Sequence, residues 1–279
     1  MTGLRLMLIT NNPEVAKIAD DVGVDWVFID LEKIGKEVRQ SGLDTVKSMH
    51  HVTDIPAVKS SLTNARLVVR VNPLGLHSRR EIDEVIKAGA DIVMLPYFKS
   101  TQEAEDFIDH VAHRAETCLL VETMEAVDAI EETILLDGID YIHIGLNDIH
   151  LQRGTKFMFE FLSDGSMDQL AGKIQDKHIP FGFGGVGRTN EMKPTGARIL
   201  GEHLRLGSTG VILSRSFINI DAFDGLEDFA ISLRDGVNDI RECLEQLETA
   251  PDDYFEENRR ICAQEIMEVA ATMKHKDPS

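Results

Sequence analysis

Cysteine is scarce: Cys118, Cys243 and Cys262 are the only three in 279 residues, lie far apart, and form no CxxC pair. An odd, scattered set of thiols argues against a disulfide framework and against a thiolate zinc site. Positive charge is scarce too. There are 29 Lys and Arg against 48 Asp and Glu, a formal charge of −19, and no dense basic run. Such a chain repels phosphate backbones and anionic lipid, so neither nucleic acid nor a membrane surface is expected as a partner. No apolar run approaches membrane-spanning length, and the opening MTGLRLMLITNNPE turns polar too soon for a signal peptide. A cytoplasmic, soluble protein is the expectation. There is also no GxGxxG after the first apolar run, which counts against an open dinucleotide-binding sheet.

What is present is a regular alternation. Hydrophobic residues make up 43% of the chain, enough for a large core in one domain. Eight short β-rich runs follow one another: LRLMLIT, DWVFIDLE, ARLVVRVN, ADIVMLPY, TCLLVE, DYIHIGLN, IPFGFGGV and STGVILSR. Between them lie segments such as PEVAKIADDVG, SRREIDEVIKAGA, TQEAEDFIDHVAHRA, TMEAVDAIEETIL and TGARILGEHLRLG, whose apolar residues recur three and four apart, the period of a helix. Gly23, Gly89 and Gly207 stand just before strands, where a left-handed helix cap is expected. Continuous apolar strands alternating with helices imply a helix-covered parallel sheet, and eight such units imply a closed (β/α)8 TIM barrel. After the eighth strand the pattern changes to two long helical tracts, Gly225 to Glu248 and Asp252 to Met273. The expected division is a barrel over residues 1–249 and a C-terminal helical tail over 250–279. The tail's apolar face, with Tyr254, Phe255, Ile261, Ile266, Val269 and Met273, must pack on its own barrel or on a neighbouring subunit, and the second is the expectation.

In a barrel of this kind the chemistry sits at the carboxyl ends of the strands. The residues closing them are Asp30, Glu32 and Lys33; Arg70 and Asn72; Glu122; Asn147 and Asp148; and Ser214 and Arg215. Several carboxylates facing one mouth raise one another's pKa unless a cation neutralises them. A divalent ion held by Glu122 and Asp148, on adjacent strands, is the economical solution, with water and substrate oxygens completing its shell. The alternatives are local: Asp148 as a helix N-cap, Glu122 as an acid favoured by a helix dipole, and Arg70 as an ion-pair partner of one of these acids.

The segments FIDLEK, LVVRVNPLG, AGADIVMLPYFKS, LLVETMEAVD and HIGLNDIHL resemble, in order and spacing, the HpcH/HpaI aldolase and citrate lyase beta-subunit superfamily over roughly residues 4–215. The resemblance implies a (β/α)8 barrel that uses Mg, Mn or Co in reversible carbon–carbon cleavage, with pyruvate or an acetyl-thioester enolate as the common half. It further implies Glu122 and Asp148 as metal ligands and Arg70 facing the enolate oxygen. The backbone amides of Gly145, Asn147 and Asp148 would hold the keto-acid carboxylate, Leu146 and Asn72 would lie in the substrate site, and Glu32 would orient metal-bound water. Trimers or hexamers are implied as well.

Two positions depart from the family pattern. Lys33 occupies the place where the aldolase branch has its basic His, and His150 stands where a small residue is usual. Lys33, beside Asp30 and Glu32, is expected to stay protonated and hold distal substrate groups, leaving the proton to metal-bound water or to His150. The glycines of FGFGGVGRTN, ahead of Arg188, either bind phosphate or simply permit tight turns. The expected activity is class II, metal-dependent aldol cleavage of a 2-oxo-4-hydroxy acid to pyruvate and an aldehyde. The alternatives are a citramalyl- or malyl-CoA-type lyase and a non-catalytic keto-acid-binding barrel.

Overall fold

A computed structural model of the chain describes residues 3–34, 50–219 and 222–273. Its strands are β1 (Arg5–Ile9), β2 (Trp26–Asp30), β3 (Arg66–Arg70), β4 (Ile92–Leu95), β5 (Glu116–Val121), β6 (Tyr141–Ile144), β7 (Phe181–Phe183), β8 (Gly185–Val186) and β9 (Gly210–Leu213). All pairings are parallel, in the order β7-β6-β5-β4-β3-β2-β1-β9-β8. Both β7 and β8 come from the single expected run IPFGFGGV, divided at Gly184 where the backbone turns left-handed (φ +49°). β7 pairs with β6 while β8 pairs with β9, so this one divided strand closes the ring. The molecule is a TIM-type α/β barrel, as the eightfold pattern predicts.

Alternation along the strands separates two cores. Met7, Trp26, Phe28, Val68, Ile92, Met94, Cys118, Leu120 and Tyr141 plug the barrel's interior. Residues between them, such as Val27, Ile29, Leu67, Val69, Leu119 and Ile142, pack outward under the helices. The Tyr141 ring lies edge-on to Trp26, with centroids 4.9 Å apart, and a Cβ on Gly182 or Gly210 would collide with its hydroxyl. Those glycines therefore make room for a large interior side chain.

Side-chain caps start several helices: Asn12 for Pro13–Asp21, Ser100 for Thr101–Val111 and Thr195 for Gly196–Arg205. Gly23, Gly89 and Gly207 all have positive φ where the chain re-enters the barrel. The single helix expected over TMEAVDAIEETIL is two short ones, Met124–Asp128 and Ile130–Thr133. The long tracts are helices Leu226–Glu248 and Asp252–Thr272. The second docks on its own barrel wall in this chain, where the sequence reading favoured a neighbouring subunit. Cys262 and Ile266 are buried there, and the Asn258 side-chain amide donates to Arg198 O (3.0 Å) and Glu202 Oε1 (2.9 Å).

Candidate active site

The interior plug stops one layer below the carboxyl end. Above Trp26 and Phe28 the next inward position on β2 is Asp30; above Val68 on β3 it is Arg70; above Leu120 on β5 it is Glu122; above Tyr141 on β6 it is His143. An apolar barrel thus ends in a polar ring.

Arg70 is gripped by Asp30, its Nε donating to Oδ1 at 2.9 Å and its Nη2 to Oδ2 at 2.8 Å, while Glu32 Oε2 lies 3.5 Å from Nη2. Burial alone would favour loss of its proton, but Asp30, Glu32 and Glu122 outweigh it and raise the pKa, so the guanidinium stays charged. The ion pair open in the sequence reading is therefore present. It engages two nitrogens with Asp30 and leaves Nη1 as the one outside that fork. The ring of Phe28 lies under the guanidinium, 5.5 Å from its carbon to the centroid.

Glu122 is buried, and its Oε1 accepts the backbone N–H of Tyr97 at 3.1 Å. Tyr97 holds a left-handed φ of +49°. Against its other side lies Gly145, where an added Cβ would sit 2.7 Å from Glu122 Cβ and 3.0 Å from Oε2. The cap of the following helix is Thr123, not Glu122. Asp148, also buried, lies in the first turn of helix Leu146–Arg153, whose N-cap is Gly145. Neither acid is the N-cap of its helix.

Gly145 N–H donates to Val121 O at 2.9 Å, so that amide is engaged by β5. The first-turn amides of Leu146, Asn147 and Asp148 are the ones a helix leaves without intrahelical acceptors.

Asn72 is used internally. Its Oδ1 accepts from Lys33 N (2.8 Å) and Ile34 N (3.0 Å), and its Nδ2 donates to Glu81 Oε1 (2.7 Å). Both ends of the amide are thus engaged with the protein itself. Lys33 itself is exposed at the rim.

His150 leaves its helix on another face from Asp148, since residues two apart point about 200° around the axis from one another, although the Asp148 charge still reaches it. Its Nδ1 lies 2.6 Å from Asn147 O, and a carbonyl only accepts, so the proton is on Nδ1 and the lone pair on Nε2. Burial lowers its pKa against the pull of that bond and of Asp148.

Two other histidines lie closer to the ring. His50 Nδ1 accepts the N–H of Asp30 at 3.0 Å, so a neutral ring carries its proton on Nε2 and has no free lone pair to act as a base. His143 Nε2 lies 3.3 Å from Gly184 O; burial, aided by Arg70's charge, pushes its pKa down to about 4. The inward alternation of strand six was the available signal for His143, whereas nothing in local spacing marks His50. In the loop after β8, Arg188 bonds Ser232 O and Oγ and stacks on Phe217, so it braces helix Leu226–Glu248.

Residues 4–161 match the HpcH/HpaI aldolase/citrate lyase family. The chain belongs to this family. A curated relative, the hydroxypyruvate/pyruvate aldolase of Roseovarius nubinhibens, is 24% identical over 197 residues, 59% of this chain and 68% of that protein. Among solved structures, an HpcH/HpaI aldolase from Desulfitobacterium hafniense superposes with a TM-score of 0.61 at 11% identity, covering 90% of this chain and 95% of the other. A family protein from Burkholderia cenocepacia gives 0.62 at 14% identity, covering 81% and 94%. The citrate synthase SbnG gives 0.59 at 15%, covering 84% and 95%. These distant structures bear on the fold alone; membership and the curated relative support lyase or aldolase activity.

HpcH/HpaI proteins are generally dependent on a divalent metal, and the donor chemistry here suits one. Glu122 and Asp148 offer only hard oxygen donors, buried at the mouth, and Gly145 keeps space beside Glu122 Oε2. Among the described residues no group of three or more His, Cys, Asp and Glu is placed to hold a metal ion. No helix among the described residues is long and apolar enough to cross a membrane.

Proposed function

We propose that this chain catalyses reversible aldol cleavage of a 2-oxo-4-hydroxy acid to pyruvate and an aldehyde, with a divalent ion (Mg, Mn or Co) held by Glu122 and Asp148. The observation that carries the reading is the buried Glu122, which packs against Gly145, the cap of the helix bearing buried Asp148, and helps to hold the braced Arg70 charged. When bound, the ion supplies Lewis acidity to the substrate's 2-oxo and carboxylate oxygens.

The chain's own residues account for the remaining steps. Leu146 and Asn147 present first-turn amides, a ready acceptor for the substrate carboxylate. Arg70, fixed by Asp30, offers Nη1 to the oxygen that gains charge as the C3–C4 bond breaks and its electron pair enters the enolate. The 4-hydroxyl proton leaves as the aldehyde forms, and a proton returned to C3 completes pyruvate. Glu32, beside Arg70, orients the water that takes that proton. Lys33 at the rim holds distal hydroxyl or anionic groups of the aldehyde portion, whereas His150, on another helix face from Asp148, is the weaker candidate for the proton. Arg188, engaged with Ser232 and Phe217, is not offered as a phosphate contact for a thioester substrate.

The test is pyruvate methyl-proton exchange with Mg, Mn and Co, beside calorimetric metal binding, in wild type, Glu122→Gln and Asp148→Asn. Each substitution should abolish exchange and metal affinity together and leave the barrel folded. Retained metal affinity would remove these acids from the ligand set. Wild-type pyruvate binding without exchange would make the protein a keto-acid binder, and cleavage of citramalyl-CoA would replace the substrate class.

A further inference from the structure

The amide of Asn72 connects the backbone after Glu32 at the barrel mouth with a helix on the barrel's outside. One carbonyl oxygen takes two consecutive backbone N–H groups, Lys33 at 2.8 Å and Ile34 at 3.0 Å, immediately after Glu32. The other end is fixed by Glu81, a half-buried residue in the first turn of helix Ser78–Ala88 on the barrel's outside. Glu81 Oε1 accepts from Asn72 Nδ2 at 2.7 Å, and both of its oxygens lie 3.3 Å from Asn72 N. From this geometry we infer that Glu81 and Asn72 are positioning residues: Glu81 sets the plane of the Asn72 amide, and that amide sets the backbone carrying Glu32 and Lys33 at the mouth.

The chemistry requires these residue types in this order. The residue at 72 must accept at one end and donate at the other, which an amide does and a carboxylate does not. The residue at 81 must accept from both the side chain and the backbone of 72, which a carboxylate does with two oxygens. Glu32 is 2% exposed and its Oε2 is 3.5 Å from Arg70, so a shift of a few tenths of an ångström in the backbone at 33 and 34 is passed to the group beside the guanidinium. Supporting contacts of this kind change activity by about 10- to 100-fold when removed.

A reciprocal swap tests the brace. Asn72→Asp keeps acceptors for the two amides but sets two carboxylates face to face. It should speed hydrogen exchange at the Lys33 and Ile34 amides and lower kcat by about tenfold or more, with KM changing less. Glu81→Gln retains an acceptor oxygen and should be mild. The double variant Asn72→Asp/Glu81→Gln restores a donor–acceptor pair of reversed polarity, and should recover amide protection and most of kcat. If Asn72 instead touched substrate, the loss in Asn72→Asp would fall on KM, leave amide exchange unaltered and resist rescue at 81; that pattern overturns the inference. Glu81→Ala, remote from the mouth, is the second probe should Asn72→Asp not fold, and unaltered exchange at 33 and 34 in that variant would equally overturn it. The kinetic arm rests on the proposed aldol reaction, but the amide-exchange arm does not. An inactive wild type showing the predicted protection pattern would refute the reaction and retain the brace.

Discussion

His143 shows how a single inward side chain ties the mouth to acid stability. It is 1% exposed, its Nε2 faces Gly184 O, and burial with Arg70's charge takes its pKa from 6.5 to about 4. Above pH 6.5 it is neutral whether the chain is folded or not. Below that, the unfolded chain binds the proton first, so folding stability falls as pH drops from about 6.5 towards 4. Between pH 7 and 5 this one group should account for a loss of about 2 kcal/mol. In His143→Leu, the difference between urea-unfolding free energies at pH 7 and pH 5 should shrink by about that amount, whatever the variant's stability at pH 7. An unchanged difference would mean that the ring is protonated in the native barrel. The same scale shows what the sequence does and does not reveal. The places of Arg70 and Glu122 at the mouth were legible because a polar residue closing an apolar strand has few reasons to be there, whereas Asp148, expected to close a strand, lies in the first turn of the following helix. The brace formed by Asn72 was not, since its acceptor duty to Lys33 and Ile34 depends on how two loops meet and not on any spacing within one.

Elements were read more easily than single contacts, and their starts carry a repeated signature. Asp25, Asp91 and Asp140, just ahead of β2, β4 and β6, accept backbone N–H groups at or next to the starts of β1, β3 and β5: Leu6 (2.7 Å), Leu67 (2.7 Å) and Thr117 (2.8 Å). Such acids support parallel strands where the ladder alone leaves donors at the ends. The seventh strand was less legible, because its division at Gly184 answers a requirement of ring closure that no single segment displays. The junction of β6 with helix Leu146–Arg153 gives the element-scale prediction. Gly145 has φ −89°, a value open to alanine, so Gly145→Ala should cost little through the backbone itself. Its new methyl, however, would lie 2.7 Å from Glu122 Cβ, an atom fixed close to its own main chain. Glu122 must shift or the helix must retreat. Metal affinity and turnover should therefore fall together by about 10- to 100-fold with the far-ultraviolet spectrum unchanged. Metal affinity equal to wild type would show that the helix yields and Glu122 does not.

At the scale of the whole molecule, helix Asp252–Thr272 ties the end of the chain to the barrel's side. Gly201 leaves the space that admits Asn258; a Cβ there would be 2.7 Å from the Asn258 side-chain nitrogen. Asn258 then meets the Arg198 carbonyl and Glu202, whose carboxylate is 2% exposed and also receives Arg205 Nη2 at 2.7 Å. Further out, Glu265 lies 3.3 Å from Arg198, and Arg259 lies 3.5 Å from Asp168. The amphipathic pattern announced that this helix buries a face, but a pattern does not name the surface. Small Gly201 opposite a polar Asn258 is a match visible only once both helices are in place. Tyr254, Met267 and Met273 remain 40%, 61% and 40% exposed, so apolar surface is left for the expected trimer or hexamer even with the helix docked on its own chain. These two roles predict different outcomes on removal. Ending the chain before Pro251 exposes the residues that Cys262 and Ile266 cover and strips Asn258 from Glu202, which should lower Tm on the order of 10 °C. Asn258→Ala, a milder change, leaves part of the Glu202 carboxylate without its partner and should cost about 1–3 kcal/mol. Light scattering beside calorimetry separates the roles. A fall in Tm at constant mass assigns the helix to its own barrel, while an unchanged Tm with a drop to monomer mass would show that in solution its work lies between subunits.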